Sequence, residues 1–226
     1  MKKIGLMGGT FDPIHLGHLN LARQAYTEYG MEEIWFLLSK IPPHKRGQRV
    51  TPEKDREAMV RLAIRDCPGF VFSDYELRRE GSCTYTSDTL RGLARDFPGS
   101  EFWFIAGEDS IRHIESWHEP EYILTHIPFL AARREDEETL GPEVDELSPE
   151  MEYLRKKYGA RIRMLHCREM EISSSEIRRR AAAGLSIREF VPGRVADYIE
   201  ENGLYRGGDS GIGKDARAGR DKGDFS

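Results

Sequence analysis

The chain has 226 residues, a length that favours a single α/β domain with decorations over two complete domains. Its 34 Lys and Arg residues against 39 Asp and Glu residues give a formal net charge of −5 at pH 7, which gives no support to a general nucleic-acid binder or a membrane-surface binder. No run approaches the roughly 20 apolar residues of a membrane span, and the N-terminal lysines lead into a strand rather than into the apolar core of a signal peptide.

The cysteine pattern indicates reduced thiols. Cys67, Cys83 and Cys167 are odd in number and lack the C-x-x-C spacing of a metal site. We therefore expect a cytoplasmic protein that has neither a nucleic acid nor a membrane as its partner.

Apolar periodicity predicts strands that alternate with helices along the chain. In chain order, the expected strands are residues 4–7, 33–38, 70–72, 101–106, 127–132 and 161–165. The expected helices are residues 19–29, 52–66, 87–97, 173–183 and 194–202. This alternation implies right-handed crossovers and an α/β fold, a doubly wound, Rossmann-like parallel sheet with helices on both faces.

The predicted domain covers residues 1–205. Within it, residues 135–158 turn acidic and then mixed in charge, and we interpret them as a peripheral elaboration that carries a surface helix. Residues 206–226 are rich in Gly, Asp and Arg and almost free of apolar residues, which is typical of a disordered tail.

The stretch from Gly8 to His18, with the sequence GGTFDPIHLGH, is a predicted strand-to-helix turn. Two glycines allow close approach to the main chain, and a helix start offers N–H groups, so the turn is typical of an anion site. If helical geometry begins near Ile14, His15 and His18 share one face and point at one bound group, for which a triphosphate is the obvious candidate. The alternatives are a pair of capping or core histidines, and a zinc site with Asp12 as a third ligand.

Polar loops also follow three other predicted strands. Residues 42–45 (PPHK) follow the second strand, Gly107 and Asp109 follow the fourth, and Arg133 follows the fifth. Because ligands of open α/β sheets bind outside the carboxyl ends of the strands, we expect these loops to line one crevice with the opening stretch. Asp109 would bind ribose hydroxyls there or cap the next short helix.

A second helix start offers another anion site. Ser173 and Glu176 are spaced as a capping box, which leaves Ser174, Ser175 and Arg178 for an anion that the helix dipole favours.

Taken together, these motifs resemble a known family. Gly8 to His18 and Ile172 to Arg178 (ISSSEIR) resemble the two motifs of the nucleotidyltransferase superfamily with the H-x-G-H fingerprint. Residues 42–45, 84–86 (TYT), Gly107-x-Asp109 and Trp117 look like the bacterial nicotinate-nucleotide adenylyltransferases in particular. The resemblance spans residues 1–205. It departs at Ser175, which keeps a hydroxyl where the family usually has Thr.

The resemblance implies adenylyl transfer from ATP to nicotinate mononucleotide, which yields deamido-NAD and pyrophosphate in NAD biosynthesis, with Mg²⁺ accompanying ATP. The implied catalytic residues are His15, His18 and Arg178. The implied ATP-binding residues are Gly8, Gly9, Thr10, Gly107, Asp109, Ser174 and Ser175. The implied mononucleotide-binding residues are His44, Lys45, Thr86, Trp117 and Arg133. No protein-bound metal is expected.

Plainer explanations stay open for several of these residues. Thr10 would serve the turn, Thr86 would be an N-cap, and Trp117 would be a core or rim residue. Two other functions also stay open. Phosphopantetheine adenylyltransferase shares the opening motif but does not explain Thr86 together with Trp117, and a non-catalytic nucleotide sensor would need no clamp on a leaving group. The oligomeric state is open, and a homodimer is one of the states considered.

Overall fold

The computed structural model describes residues 1–40, 50–79, 84–132, 147–167, 170 and 172–206, and for Asp109 it describes the main chain alone. The strands are β1 (Lys2–Gly9), β2 (Glu33–Leu38), β3 (Phe70–Ser73), β4 (Ser100–Gly107), β5 (Phe129–Ala132) and β6 (Ile162–Leu165). The helices are α1 (Leu16–Glu28), α2 (Glu53–Ile64), α3 (Thr86–Asp96), α4 (Glu108–Arg112), α5 (Pro120–His126), α6 (Pro149–Tyr158), α7 (Ser174–Ala182) and α8 (Gly193–Glu201). A 3-10 helix at Ile114–Ser116 lies between α4 and α5.

The strands form one parallel sheet in the order β3-β2-β1-β4-β5-β6. In its register, Leu6 of β1 lies opposite Trp35 of β2 on one side and Phe104 of β4 on the other. This is the order of a doubly wound, Rossmann-like sheet, and it reverses direction between β1 and β4. The predicted fold class is confirmed, and all six predicted strands are present.

Both faces of the sheet are covered because strand residues alternate between two hydrophobic cores. Along β2, Ile34, Phe36 and Leu38 pack in the core that contains residues of α1, α2 and α8. Leu37 packs in the other core, with residues of α3, α5 and α6. Burial on both faces explains why the strands read as continuous apolar runs.

Two parts of the fold differ from the prediction near the site. Helix α1 begins at Leu16, three residues earlier than expected, and His15 is its N-cap in an extended conformation. Between β4 and β5, the short helix expected near Asp109 is α4, whereas α5 and the 3-10 turn were not predicted. Because α5 continues to His126, β5 begins at Phe129, two residues later than predicted.

Helix α6 lies within residues 135–158, which were interpreted as a peripheral elaboration, and of that range the structure describes residues 147–158. The helix connects β5 to β6, and its Met151 and Leu154 are buried in the core on one face of the sheet. A crossover between parallel strands has to cover the sheet, so this helix is an integral layer of the fold.

Some expectations fall on parts of the chain that the structure does not describe. Residues 133–146 and 207–226 lie outside the described ranges, so the disordered tail stays a prediction. Cys67 is a free thiol, and Cys83 lies outside the described residues. No helix of the described part of the chain is long and apolar enough to cross a membrane.

Candidate active site

A cavity of about 810 Å³ opens where β1, β2 and β4 end. It lies at the switch point between β1 and β4, which is where open α/β sheets bind ligands, and its volume suits a small organic molecule. Eight of the predicted site residues line this cavity: Gly8, Gly9, Thr10, His15, His18, Thr86, Gly107 and Trp117.

The other predicted residues have different placements. Asp109 lies in α4, whose N-cap is Gly107, so the alternative role of Asp109 as the N-cap is wrong. His44, Lys45 and Arg133 lie outside the described residues. Ser174, Ser175 and Arg178 belong to α7, which begins next to the opening loop.

The two histidines are brought together by capping rather than by the face of a helix. The His15 backbone N–H donates to Nδ1 of His18 at 3.2 Å, and the two ring centroids are 3.7 Å apart. Because Nδ1 of His18 accepts this bond, a neutral His18 ring carries its proton on Nε2. His18 therefore has a hydrogen-bond donor at the outer end of its ring.

Gly17 explains the small residue between the two histidines. A Cβ atom at this position would lie 3.0 Å from Nδ1 and 3.2 Å from Cε1 of His15. Such contacts are tighter than side chains normally make, so a larger residue would push the His15 ring away from its position beside His18.

His15 is electrically neutral at pH 7 in the ligand-free protein. Its side chain is 8% exposed, and burial lowers its pKa from 6.5 to about 4. Its Nδ1 atom and the Ser39 hydroxyl are buried polar atoms that have no hydrogen-bond partner among the described residues. Both residues line the cavity, where a polar ligand would supply the missing partner.

We predict that His15 makes the ligand-free protein less stable in acid. The unfolded chain binds a proton at His15 below pH 6.5, whereas the folded protein binds it only near pH 4. Between pH 7 and pH 4 this difference removes about 3 kcal/mol from the free energy of unfolding. Urea unfolding of His15→Asn should lack this loss, and the exposed control His126→Asn should retain it. Equal pH dependence in wild type and His15→Asn would contradict the assignment.

Arg56 holds the opening loop from the side of α2. It is 1% exposed, and its Nη1 donates to the carbonyl oxygens of Thr10 and Ser39, both at 2.9 Å. Burial lowers the pKa of its guanidinium group, and the Asp12 carboxylate opposes this shift. Arg56 was not among the predicted site residues, although it occupies an inward position of α2 at helical spacing from Met59.

Helix α7 holds the same loop from another side. The Ser174 hydroxyl donates to the Pro13 carbonyl oxygen at 2.9 Å, and Arg178 Nη1 donates to the Asp12 carbonyl oxygen at 2.7 Å. Ser173 accepts the Glu176 backbone N–H as predicted. The Glu176 carboxylate pairs with a neighbouring arginine of the same helix instead of completing the capping box. The two sequence motifs are therefore in direct contact.

The wall at the start of α3 contains residues that the sequence analysis missed. Glu76 is buried, and its carboxylate accepts the hydroxyls of Thr84 and Thr89, each at 2.9 Å. Burial raises the pKa of Glu76, and the two hydroxyl donors oppose that rise. The two bonds fix the segment ahead of α3, whose N-cap is Tyr85, so the alternative role of Thr86 as the N-cap is wrong.

Trp117 and His118 form the neighbouring wall. The Trp117 ring meets the Phe104 ring edge-on at 6.0 Å, and His118 stacks on Tyr85 at 4.2 Å. His118 Nδ1 also lies 3.2 Å from the Ser87 hydroxyl in α3. These contacts join the start of α3 to the segment after the 3-10 helix. The cavity is lined by four of the residues in these contacts, which are Tyr85, Phe104, Trp117 and His118.

Asp12, the third ligand of the alternative zinc site, is engaged in hydrogen bonds within the protein. The two carboxylate oxygens of Asp12 accept hydrogen bonds from the Thr51 backbone N–H at 3.1 Å and from the Tyr205 hydroxyl at 2.7 Å. Within the described ranges, no three His, Cys, Asp or Glu side chains gather as a metal site would require.

A glycine-containing loop at the switch point of a doubly wound sheet, followed by a helix start with two histidines, is typical of a nucleotide-binding enzyme of the nucleotidyltransferase class. In agreement, residues 6–180 match the family model described as cytidylyltransferase-like. A relative from Lachnoclostridium phytofermentans is 44% identical over 205 residues, which cover 91% of this chain and 100% of the relative. A relative from Symbiobacterium thermophilum is 43% identical over 212 residues, which cover 93% of this chain and 98% of the relative. Both carry the name "Probable nicotinate-nucleotide adenylyltransferase". The chain belongs to the nicotinate-nucleotide adenylyltransferase family, and the resemblance noted from the sequence is confirmed.

Solved structures support the same fold. The Plasmodium falciparum nicotinic acid mononucleotide adenylyltransferase complexed with APC matches with a TM-score of 0.72 and 23% identity, over 91% of this chain and 98% of that chain. The complex of the same enzyme with NaAD gives the same values.

Proposed function

We propose that this protein transfers the adenylyl group of ATP to nicotinate mononucleotide, giving deamido-NAD and pyrophosphate in NAD biosynthesis. A phosphate oxygen of the mononucleotide attacks the α-phosphorus of ATP. The new P–O bond forms as the bond to the bridging oxygen breaks, and both electrons of that bond leave with pyrophosphate. The observation that carries the proposal is the paired His15 and His18 at the switch-point cavity of a chain that belongs to this family.

The chemistry requires positioning and charge neutralisation rather than a general base. The attacking phosphate has a second pKa of about 6, so it is largely dianionic at pH 7. In our proposal, His18 donates through Nε2 to the α-phosphate and His15 donates as a neutral imidazole beside it. The main-chain groups of Gly8, Gly9 and Thr10 approach the same phosphates.

The other predicted ATP-binding residues lie near the starts of two helices, α4 and α7. We assign the ribose to Gly107 and Asp109, and the β- and γ-phosphates to Ser174, Ser175 and Arg178. Arg178 already donates to the Asp12 carbonyl oxygen through Nη1, and a guanidinium group has further N–H donors for pyrophosphate. One side chain can therefore bind both the opening loop and the leaving group.

The described cavity would hold a magnesium ion through ATP rather than through a protein cage. Its histidine, hydroxyl and main-chain groups can donate hydrogen bonds to phosphates, and the phosphates with water would supply the oxygen ligands that Mg²⁺ prefers. When bound, the ion would neutralise charge on the leaving pyrophosphate.

The acceptor is assigned to the wall between α3 and Trp117. The N–H groups at the start of α3, near Thr86, suit the carboxylate of nicotinate, and the Trp117 ring suits the pyridine ring. His44, Lys45 and Arg133 stay predicted ligands of the mononucleotide phosphate. A cytoplasmic location is part of the same proposal, while the oligomeric state stays open.

A pyrophosphate-release assay tests this function. ATP is supplied with nicotinate mononucleotide, nicotinamide mononucleotide or phosphopantetheine in separate reactions. We expect turnover with the first and much weaker turnover with the second, which lacks the carboxylate. Turnover with phosphopantetheine alone would show that nicotinate mononucleotide is not the acceptor, while the proposed adenylyl transfer from ATP would stand. No turnover with any acceptor would favour the nucleotide sensor.

Trp117→Ala is expected to raise the KM for the mononucleotide about tenfold, on the order of one lost aromatic stack, with little change in the KM for ATP. Trp117→Phe keeps an aromatic face and should stay close to wild type. Steady-state kinetics with each substrate varied in turn provide the measurement. Equal increases in both KM values would show that Trp117 packs against Phe104 without stacking on the acceptor.

A further inference from the structure

Tyr205 reaches the opening loop from the far end of the folded chain. Its hydroxyl donates to the Asp12 carboxylate at 2.7 Å, across 193 positions in the sequence. Asp12 is 5% exposed, and its other carboxylate oxygen accepts the backbone N–H of Thr51, which precedes α2. One buried carboxylate therefore joins the loop to two other parts of the fold.

Phe11, the residue before Asp12, connects the position of Asp12 to that of His18. Phe11 has a φ of 47°, in the left-handed region that non-glycine residues adopt at a cost of about 1 kcal/mol. Such a conformation persists only when its surroundings enforce it. The Phe11 ring is buried and meets the His18 ring edge-on at 5.1 Å. A shift at Asp12 would therefore move the ring that supports His18.

The carbonyl groups of the loop are bound by donors that do not belong to a ligand. The carbonyl oxygen of Thr10 accepts from Arg56, that of Asp12 accepts from Arg178, and that of Pro13 accepts from Ser174. A carbonyl oxygen that turned toward a polyphosphate would repel it. The Tyr205 bond to the Asp12 carboxylate adds a side-chain anchor to the same loop, and its loss would loosen the loop between the bound carbonyl oxygens of Thr10 and Pro13.

We propose that Tyr205 is a positioning residue for ATP, which acts through the carboxylate of Asp12 to hold the loop and His18 in their binding geometry. The inference rests on the proposed function, because it concerns the same phosphate site. Tyr205 stays a donor over the working pH range, since burial and the neighbouring Asp12 carboxylate raise its pKa.

The chain offers a matched control in Tyr198. Its hydroxyl donates to the Asp55 carboxylate at 2.8 Å and joins α8 to α2, but it makes no described contact with the loop. Each of the substitutions Tyr205→Phe and Tyr198→Phe removes one hydroxyl group, and with it one hydrogen bond to an aspartate that is buried or half-buried. Both should lower the midpoint of urea unfolding slightly and by similar amounts.

Only Tyr205→Phe should impair the binding of ATP. We expect about a tenfold higher Kd for ATP by calorimetry and a matching rise in its KM, because the loss of one hydrogen bond to a charged group can shift the loop's conformational equilibrium by about this much. The KM for the mononucleotide should change less than about twofold. Asp12→Asn replaces the charged acceptor of the Tyr205 hydroxyl with a neutral amide and so weakens this bond. It should show a similar ATP defect, and the double variant should be no worse than Tyr205→Phe alone.

The outcomes separate this inference from the proposed function. If wild type binds ATP without turning over nicotinate mononucleotide, the proposed function fails, and the ATP affinities of the variants still test Tyr205. If Tyr205→Phe and Tyr198→Phe bind ATP equally well, the positioning role is overturned. If Tyr205→Phe does not fold, the inference stands or falls on the ATP affinity of Asp12→Asn.

Discussion

Replacing His18 with Ala is expected to lower kcat by about 10²- to 10³-fold in a protein that remains folded. The structure gives the reason, because Nδ1 of His18 accepts the backbone N–H of His15 and leaves Nε2 as the donor. A donor aimed at the α-phosphate stabilises the charge that develops as pyrophosphate departs. His18 is only partly buried, so truncation should leave the core packing intact.

Two further substitutions at His18 separate the donor from the structural bond. Asn places its polar atoms at the distance of Nδ1, so it can accept from the His15 N–H but cannot reach the position of Nε2. Gln places an N–H donor close to the position of Nε2. We therefore expect His18→Asn to be nearly as slow as His18→Ala, and His18→Gln to recover part of kcat.

The measurement is kcat with both substrates saturating, and thermal unfolding of each variant confirms that it is folded. A folded His18→Ala variant with kcat within a few fold of wild type would remove His18 from the mechanism. If His18→Asn instead restored full activity, the role of His18 would be to anchor the His15 backbone.

The fold was predictable because its signal is local. Each strand is a continuous apolar run, as at residues 33–38, and parallel strands buried on both faces require such runs. The bounds of α4 and the existence of α5 escaped prediction because these helices have five and seven residues, too few for an apolar period to repeat. In α6, the spacing of Met151 and Leu154 indicated an inward face, but the acidic surroundings favoured the surface.

The site was predictable where its residues form a local motif or follow the end of a strand. The H-x-G-H spacing indicates a paired donor, and the structure adds that Gly17 leaves room for the His15 ring. Arg56 contacts Thr10 across 46 positions, and no sequence period records such a pairing. The charge of Arg56 at an inward helix position was the one available signal. For Glu76 there was no comparable signal, because its threonine partners lie in a different segment.

Arg178 binds the Asp12 carbonyl oxygen and, in our proposal, the leaving pyrophosphate, so its substitution should have the second large effect on activity. We expect Arg178→Ala to lower kcat/KM for ATP by about 10²-fold, since it removes a charged donor from the leaving pyrophosphate together with the bond to the Asp12 carbonyl oxygen. Arg179→Ala is the matched control. Arg179 follows directly in α7, but its guanidinium group pairs with the exposed Glu176, so its loss should leave kcat/KM unchanged.

The two contacts of Arg178 can be told apart through the product. Arg178→Lys keeps a charge that can reach either the loop or the pyrophosphate, but a single ammonium group cannot hold both as a guanidinium group does, so it should remain well below wild type. The inhibition constant of pyrophosphate reports binding of the leaving group alone. It should rise in Arg178→Ala and stay unchanged in Arg179→Ala. If Arg178→Ala lost activity with an unchanged inhibition constant, Arg178 would act only through the Asp12 carbonyl oxygen, as a positioning residue beside Tyr205.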